Sequence, residues 1–244
     1  MNTAIRPRRL LHSVLALCAL AAFAGFVALG NWQVERRAWK LDLIERVEAR
    51  VSAPAVAAPG TEDWPAVTRE RDEYRHVRLQ GRFLPDLDTR VASASELGTG
   101  YWILSPLQQQ DGSLVLVNRG FVAQGQQAAP VPPGAVEVTG LLRITEPGGG
   151  VLRDNEPEED RWFSRDVAAI AAKRGLSGAA PYFVDAAADT AGSPGGNGPV
   201  GGLTVIRFHN SHLVYAITWY GLALMVVGAT VLVIREGRRK GQRR

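Results

Sequence analysis

Two long apolar runs lie near the two ends of the chain, and a longer segment of mixed polarity separates them. The first run, within residues 10–30, has no formally charged side chain. The second run, residues 213–234, contains no acid, base or proline. Because about 20 apolar residues in a helix cross the hydrocarbon core of a bilayer, we predict a transmembrane helix in each run.

The first run has a second interpretation, as a cleaved secretory signal. Arg6, Arg8 and Arg9 precede it, and small residues lie near its end, as they do in signal peptides. The run is longer than the apolar region of a signal, and it continues into GNWQVERRAWK without a polar cleavage zone. A retained anchor is therefore favoured, and both interpretations place the following segment on the same side of the membrane.

The segment between the runs, residues 31–212, is predicted to form one exported domain. Its start, residues 31–53, keeps a helical pattern with Trp32 and Trp39 on one face, and so extends the first apolar helix. Amphipathic aromatic rings lie at headgroup level in membranes, so Trp32 is expected at the membrane surface. A proline-containing stretch then leads into a β-rich core at residues 66–208.

The β-rich core is read from alternating polarity and from turn residues. The alternation from Tyr74 to Phe83 predicts a strand with a bulge at Gly81. Asp111-Gly112, between GYWILSPL and LVLVNRGFV, predicts a hairpin, because Asp-Gly favours a tight turn. Further strands are predicted for AVEVTGLLRI, PYFVDA and LTVIRF.

One helix is predicted to interrupt these strands. Ser164 is the expected N-cap, with Asp166 in the first turn, and Gly175 is the expected stop. Residues 187–202 are rich in Gly, Pro and Asn and are predicted to form a flexible loop. The predicted fold class is thus an α+β membrane protein. Two transmembrane helices flank a mainly antiparallel, barrel-like or sandwich-like extracytoplasmic domain with one inserted helix.

The charge distribution predicts the orientation of the chain. Its 28 Lys and Arg against 24 Asp and Glu give a net +4, which by itself suggests a polyanionic partner. However, residues 1–9 carry three arginines, residues 235–244 carry six bases against one acid, and residues 31–212 carry 19 bases against 23 acids. Basic flanks resist translocation, so both tails are expected in the cytoplasm and the domain in the periplasm. We expect a bacterial inner membrane rather than a mitochondrial precursor, contact with membrane lipid, and no nucleic-acid partner.

Motifs of common enzymes do not occur in the sequence. There is no G-x-S-x-G, H-E-x-x-H, C-x-x-C or G-x-x-x-x-G-K-[ST], and the single Cys18 excludes an intramolecular disulfide. The acidic stretch DNEPEED at residues 154–160 could hold a metal, but a solvated loop is favoured, because cation loops need alternating oxygen ligands held by a tight turn. No catalytic residue is predicted.

Two histidines are the strongest candidates for chemistry. His209 and His212 lie three residues apart at the outer end of the second apolar run. A neutral imidazole there could bind a haem iron or another metal, and the alternative is a pair of polar residues at the membrane boundary. Arg207 could pair with an anionic group of a ligand or with a lipid phosphate.

Several stretches together resemble the Surfeit locus protein 1 family of cytochrome oxidase assembly factors. GNWQVERRAWKLDLI is similar to the family's opening signature, and LVLVNRGFV to its VNRGW strand, with Phe121 where Trp is usual. LRDNEPEEDRWFSRDVAAIA, APYFVDA and GGLTVIRFHNSHLVYAITWYGLAL resemble its later blocks, in family order.

The resemblance implies a membrane-bound, non-catalytic assembly factor for haem-copper cytochrome c oxidase. Its implied partner is the catalytic subunit of the oxidase, with haem a synthase as a further partner, and its implied cofactor is transiently bound haem a. The family's Asn-x-His falls on Asn210 and His212, which makes His212 the expected ligand of the haem iron. Arg207 and Trp219 are the further residues expected at the cofactor. The resemblance also marks signature residues for partner contacts or structure: Trp32, Gln33, Arg36, Trp39, Asn118, Arg119, Gly120, Asn155, Trp162, Asp166, Asn210 and Tyr215.

Two other functions stay open at this point. One is a scaffold that stabilises the oxidase subunit without touching haem. The other is a membrane-tethered enzyme with an unrecognised site, for which Asn155, Arg165 and Asp166 would be the residues to substitute.

Overall fold

A computed structural model describes residues 7–150, 153–188, 198–204 and 210–242, apart from the side chains of residues 7–9, 12, 241 and 242. The chain divides into two units, a helical unit of Met1–Arg46 with Arg207–Arg244 and a sheet domain of Val47–Ile206. Its helices and strands, in chain order, are α1 (Pro7–Ser52), β1 (Val56–Ala57), α2 (Arg69–Asp72), β2 (His76–Phe83), β3 (Thr89–Ser95), β4 (Gly98–Gln109), β5 (Leu114–Ala123), β6 (Ala135–Ile144), α3 (Val167–Arg174), β7 (Ala179–Ala186) and α4 (His212–Gln242).

The helical unit consists of α4 and most of α1. Each helix contains an 18-residue window of high mean hydropathy, 2.3 in α1 and 2.1 in α4, and only 6% of each window is buried. Such length and composition are those of helices that span a membrane. Two apolar helices, one before and one after a sheet-rich domain in the chain, are confirmed as predicted, and the crossing of the membrane stays a prediction.

The sheet domain contains a closed five-stranded barrel. The strand order is β1-β2-β6-β7-β5-β4-β3, and β2 also pairs with β4, so that β2, β6, β7, β5 and β4 form a ring. The pairs β1–β2 and β5–β7 are parallel, and the other five pairs are antiparallel. The sheet is therefore mainly antiparallel, as predicted, and of the two predicted shapes it takes the barrel.

The barrel closes at Gly81. This residue pairs with Val136 of β6 and with Gln109 of β4. A Cβ atom at Gly81 would lie 2.2 Å from the main-chain oxygen of Gln108, so only glycine allows β4 to approach. The predicted bulge at Gly81 is wrong, because β2 pairs with β6 in unbroken register. The irregularity lies instead in β4, between Trp102 and Leu104.

Two apolar clusters hold the domain together, and β7 contributes to both. Tyr182 and Val184 belong to the cluster enclosed by the barrel, and Phe183 to the cluster on its other face, as the alternation of a strand requires. The helix α3 covers that second cluster with Val167 and Ile170. The interior cluster further contains Val77, Leu79, Phe83, Leu107, Val115, Val117, Val138, Leu142, Ala180 and Ala186.

The start of α3 differs from the prediction. The N-cap is Asp166, whose side chain accepts a hydrogen bond from the main-chain N–H of Ala169. Ser164 lies outside the helix, where its hydroxyl donates to the main-chain oxygen of Glu146 at 2.7 Å. Its side chain is engaged there and does not cap the helix. Gly175 ends α3 in the left-handed conformation, as predicted.

Two further predictions fall partly outside the described residues. Of the predicted loop at 187–202, residues 189–197 are not described. Of the predicted strand LTVIRF, residues 205–208 are not described, and Leu203 and Thr204 do not form a strand.

Candidate functional site

In the helical unit, α1 and α4 meet through polar and aromatic side chains. Phe26 stacks on Trp219, with ring centroids 5.8 Å apart. The Tyr220 hydroxyl donates a hydrogen bond of 2.7 Å to Oδ1 of Asn31. A Cβ atom at Gly30 would lie 2.6 Å from the Tyr220 ring, so the glycine makes room for the tyrosine. These contacts fix the facing sides of the two helices.

His212 is the first residue of α4, and its ring is held by α1. Its Nδ1 lies 2.7 Å from Oε1 of Gln33, which is 9% exposed. An amide oxygen only accepts hydrogen bonds, so Nδ1 is the donor of this contact, and in the neutral ring Nε2 then holds the lone pair. An imidazole in this tautomer has its Nε2 free to bind a metal ion.

The other residues predicted around His212 are only partly brought to it. Trp219 lies two helical turns further along α4 and stacks on Phe26. Trp32 is 54% exposed, and one residue of helix rotates it about 100° from the Gln33 side. Arg207 and His209 lie outside the described residues.

Four further signature residues of this unit, Arg36, Trp39, Asn210 and Tyr215, have no contact with His212 among those described. The Arg36 guanidinium lies 4.1 Å from the centre of the Trp39 ring, in a cation–π contact on the surface of α1. Tyr215 is 54% exposed. Asn210 has a buried Oδ1 without a hydrogen-bond partner in the described part of the chain.

In the sheet domain, a buried carboxylate gathers the polar groups of several strands. Asp185 accepts hydrogen bonds from Asn118 at 2.7 Å, Thr204 at 3.0 Å and Arg143 at 2.8 Å, and Arg165 donates to it at 3.2 Å. The main-chain N–H of Gly120 donates to Oδ1 of Asn118, on the same strand. We call this group, with Glu73 and Glu146, the Asp185 cluster.

The two arginines of the Asp185 cluster are each shared between carboxylates. Arg143 also donates to Glu73 at 2.8 Å, and Arg165 donates to Glu146 at 2.5 Å. Burial alone would raise the pKa of Glu146, but its hydrogen bond and charge contact with Arg165 outweigh burial and hold the pKa below its ordinary value. Burial alone would lower the pKa of Arg143, whereas Asp185 and Glu73 raise it overall. The two arginines therefore link the three carboxylates of the cluster.

Arg119 follows Asn118 of this cluster in the chain, and it is buried where it binds main-chain oxygens. It is 1% exposed, and its guanidinium donates to the main-chain oxygens of Ala129 and Pro130 at 3.1 Å. Burial lowers the pKa of Arg119, and Asp88, 3.6 Å away, opposes that effect. The arginine thus fastens the loop that follows β5.

Comparison with known proteins identifies the family of the chain. A model of the SURF1 family matches residues 20–224. Surfeit locus protein 1 of Homo sapiens is 35% identical over 236 residues, which cover 87% of this chain and 74% of that protein. The chain belongs to the SURF1 family. The Xenopus tropicalis protein of the same name is 35% identical over 86% of this chain and 71% of its own, and a SURF1-like protein of Monosiga brevicollis is 34% identical over 88% and 86%.

Three residues predicted as SURF1 family signatures lie around α3 and support the fold locally. The side-chain oxygen of Asn155 accepts from the main-chain N–H groups of Phe163 and Ser164. Trp162 is 1% exposed and donates its indole N–H to Asp160 at 2.8 Å. Asp166 caps α3.

Four of the five acids in the acidic stretch of this SURF1 family member are paired with bases. Glu156 and Glu159 contact Arg161, Glu158 contacts Lys173, and Asp160 contacts Arg174. Within the described ranges, no group of three or more His, Cys, Asp or Glu side chains could hold a metal ion. The paired acids therefore form ion pairs at the surface, and the Glu158 side chain is 99% exposed.

Sequence reasoning missed the centre of the Asp185 cluster. Asp185 lies within the predicted strand PYFVDA, but the sequence gives it no separate role, and it does not indicate Arg143 or Glu73 as partners. The available signal was polar residues inside otherwise apolar strands, namely Asn118 and Arg119 in VLVNRGFV and Asp185 in YFVDA. A buried polar side chain needs partners, which predicts that such strands lie close together.

Proposed function

We propose that this SURF1 family member is a membrane-anchored assembly factor for haem-copper cytochrome c oxidase. It assists the insertion of haem a into the nascent catalytic subunit, or stabilises that subunit, and its role is not catalytic. The observation that carries the haem part of the proposal is the hydrogen bond between His212 Nδ1 and Gln33 Oε1. Family membership supports the wider role.

The residues near His212 are compatible with a haem group. Nε2 of His212 would bind the iron, because Nδ1 is engaged by Gln33. The buried Oδ1 of Asn210, two residues away, lacks a partner among the described residues and could accept a hydrogen bond from a ligand. When bound, haem a supplies an iron that takes imidazole as a ligand.

In this proposal each protein residue has a task at the membrane boundary. Gln33 holds the His212 ring in one tautomer and one orientation. The exposed apolar side chains of α1 and α4 supply a lipid-like environment for the hydrocarbon tail of haem a, which would be costly to expose to water. Arg207 and Trp219 stay the proposed neighbours of the cofactor.

The proposed location is a bacterial inner membrane, with both termini in the cytoplasm and the sheet domain in the periplasm. Apolar α1 and α4 supply two spans. The basic residues beyond them are costly to translocate, so they favour the cytoplasmic side. The proposed partners are the catalytic subunit of the oxidase and haem a synthase.

Purified protein tests the haem part of the proposal. The full chain, prepared in detergent from cells that make haem a, should show a Soret band that His212→Ala abolishes. His76→Ala is the matched control, because this histidine lies in the sheet domain and should leave the band unchanged. A colourless wild-type protein, or a band that survives His212→Ala, would contradict haem binding at His212.

Deletion of the gene tests the assembly role. Reduced-minus-oxidised spectra of the membranes should lose haem a absorbance, and oxidase activity should fall. If absorbance and activity stay normal, the assembly role is wrong. If both fall while the purified protein is colourless and additional haem a synthase gives no rescue, the protein acts as a scaffold without haem.

A further inference from the structure

A groove of about 690 Å³ lies on the sheet domain beside the edge strand β3. Two cation–π pairs line it. The Arg90 guanidinium lies 4.5 Å from the centre of the Tyr101 ring, and the Arg153 guanidinium lies 5.5 Å from the centre of the Phe163 ring. The volume is in the range of ligand-binding clefts.

The charges in this groove are not balanced. Arg161 and Asp160 also line it, but Arg161 is paired with glutamates and Asp160 with Arg174. Within the described residues, no carboxylate lies within ion-pair distance of Arg90 or Arg153, and both are exposed. The groove therefore presents two guanidinium groups that can bind an anionic ligand, and an aromatic ring orients each of them.

The edge of β3 beside the groove is only partly covered. The main-chain N–H of Ala92 points away from β4 and donates to the oxygen of Trp162 at 2.8 Å. Main-chain N–H groups point to alternate sides along a strand. The N–H of Ala94, two residues after Ala92, therefore points to the same edge, beyond the segment that holds Trp162. Ala94 is exposed, so an added strand can reach its main-chain groups.

We propose that this groove binds an extended acidic segment of a partner protein. The segment adds to the edge of β3 through main-chain hydrogen bonds at Ala94, and its carboxylates bind Arg90 and Arg153. An extended chain places alternate side chains on one face, which suits two arginines beside one edge. Charge complementarity and the open edge together favour such a segment over a compact anion.

Peptide binding to the full chain in detergent tests this proposal. The probe is a fluorescein-labelled peptide of alternating Glu and Val, and its control has Gln in place of Glu. We expect fluorescence anisotropy to show binding of the Glu peptide only, and added salt to weaken it. Arg90→Gln and Arg153→Gln should each weaken binding about tenfold, the loss of one charge-assisted contact. The matched control is Arg82→Gln, an exposed arginine of β2 outside the groove, which should change binding less than twofold.

Two further measurements separate the sources of anionic charge. Hydrogen exchange should slow at Ala94 when the Glu peptide binds, and a peptide with N-methylated alternate residues should bind more weakly. Equal binding of Glu and Gln peptides, no binding, or binding that survives both arginine substitutions would overturn the proposal. If the N-methylated peptide or free glutamate binds equally well, the occupant is a small anion and the proposal is wrong. If the protein binds only vesicles of phosphatidylglycerol, the occupant is lipid and the proposal is also wrong. None of these outcomes depends on haem or on oxidase assembly.

Discussion

At the scale of residues, the candidate ligand His212 depends on the hydrogen bond that its other ring nitrogen makes with Gln33. The imidazole of His212 would be one more polar ring at a helix end if its Nδ1 were hydrated. The 2.7 Å contact with Gln33 fixes its proton and leaves Nε2 available. The sequence alone indicated both residues, but it could not pair them, because 179 positions separate them along the chain.

Substitution of Gln33 tests this pairing. Gln33→Leu keeps the side-chain size but removes the acceptor, so the ring of His212 loses its fixed tautomer. We expect haem affinity, measured by Soret titration of the detergent-purified full chain, to fall about tenfold, as is usual when a ligand's outer partner is lost. Val34→Ala, at an exposed neighbour on α1, should have no effect. Equal affinities of wild type and Gln33→Leu would show that the pairing does not tune His212.

The pH dependence of stability is also decided by single side chains. The pKa of Glu146 is lower in the folded protein than its ordinary value of 4.5. Ionised Glu146 therefore stabilises the fold above that pH, and the contribution is lost as the pH falls through the folded pKa. We expect the free energy of unfolding of the full chain in detergent, from urea titrations, to decline as pH is lowered from 5 toward 3.

Substitution at Glu146 should change this profile. Glu146→Gln removes one of the two carboxylate partners of Arg165 and should cost about 1 to 3 kcal/mol at pH 7, with a shallower decline in acid. The control is Glu158→Gln, since the Glu158 side chain is 99% exposed and its substitution should leave the profile unchanged. An unchanged acid slope in Glu146→Gln would remove Glu146 as a source of the pH dependence.

At the scale of elements, the barrel depends on a strand that pairs on both sides. In β2, Gly81 contacts β6 through Val136 and β4 through Gln109. Closure buries the interior cluster and leaves the short β1 and the longer β3 as edge strands. The groove proposed for an acidic segment lies at the edge of β3.

Closure makes Gly81 sensitive to a single added methyl group. A Cβ atom there would lie 2.2 Å from the Gln108 oxygen, so Gly81→Ala must push β4 away from β2. We expect a loss of about 1 to 3 kcal/mol in the free energy of unfolding, measured in urea by tryptophan fluorescence. Gly60→Ala is the control, because a Cβ atom at Gly60 meets nothing within 4 Å. Equal stability of the two variants would mean that the strands separate there at no cost.

The elements that the sequence predicted well are those with a local signal. The Asp111-Gly112 turn between two largely apolar runs predicted β4 and β5, and Gly175 predicted the end of α3. The N-cap was misplaced at Ser164, because Ser and Asp cap equally well and only the contact with Glu146 decides between them. Barrel closure could not be predicted from local sequence patterns. A glycine inside a strand pattern suggests a bulge, and the contact of Gly81 with β4 is not visible in the residues around it.

The whole chain is organised by charge. The excess of bases over acids lies in the two terminal tails, since the segment between the apolar helices carries 19 bases against 23 acids. Basic residues close to a span resist translocation, whereas a long domain is translocated largely regardless of its charge. The high overall basicity thus favours an orientation in a membrane and gives no support to a nucleic-acid partner.

Cysteine labelling tests this orientation directly. In a Cys18→Ser background, which removes the single native cysteine, a reporter is placed at Glu96→Cys in the sheet domain or at Gly237→Cys in the C-terminal tail. Both positions are exposed, so that labelling reports the compartment and not burial. A membrane-impermeant maleimide should label Glu96→Cys in intact spheroplasts, and should label Gly237→Cys only after lysis. Labelling of Gly237→Cys before lysis would reverse the proposed topology, because the basic tail would then have crossed the membrane against the charge bias.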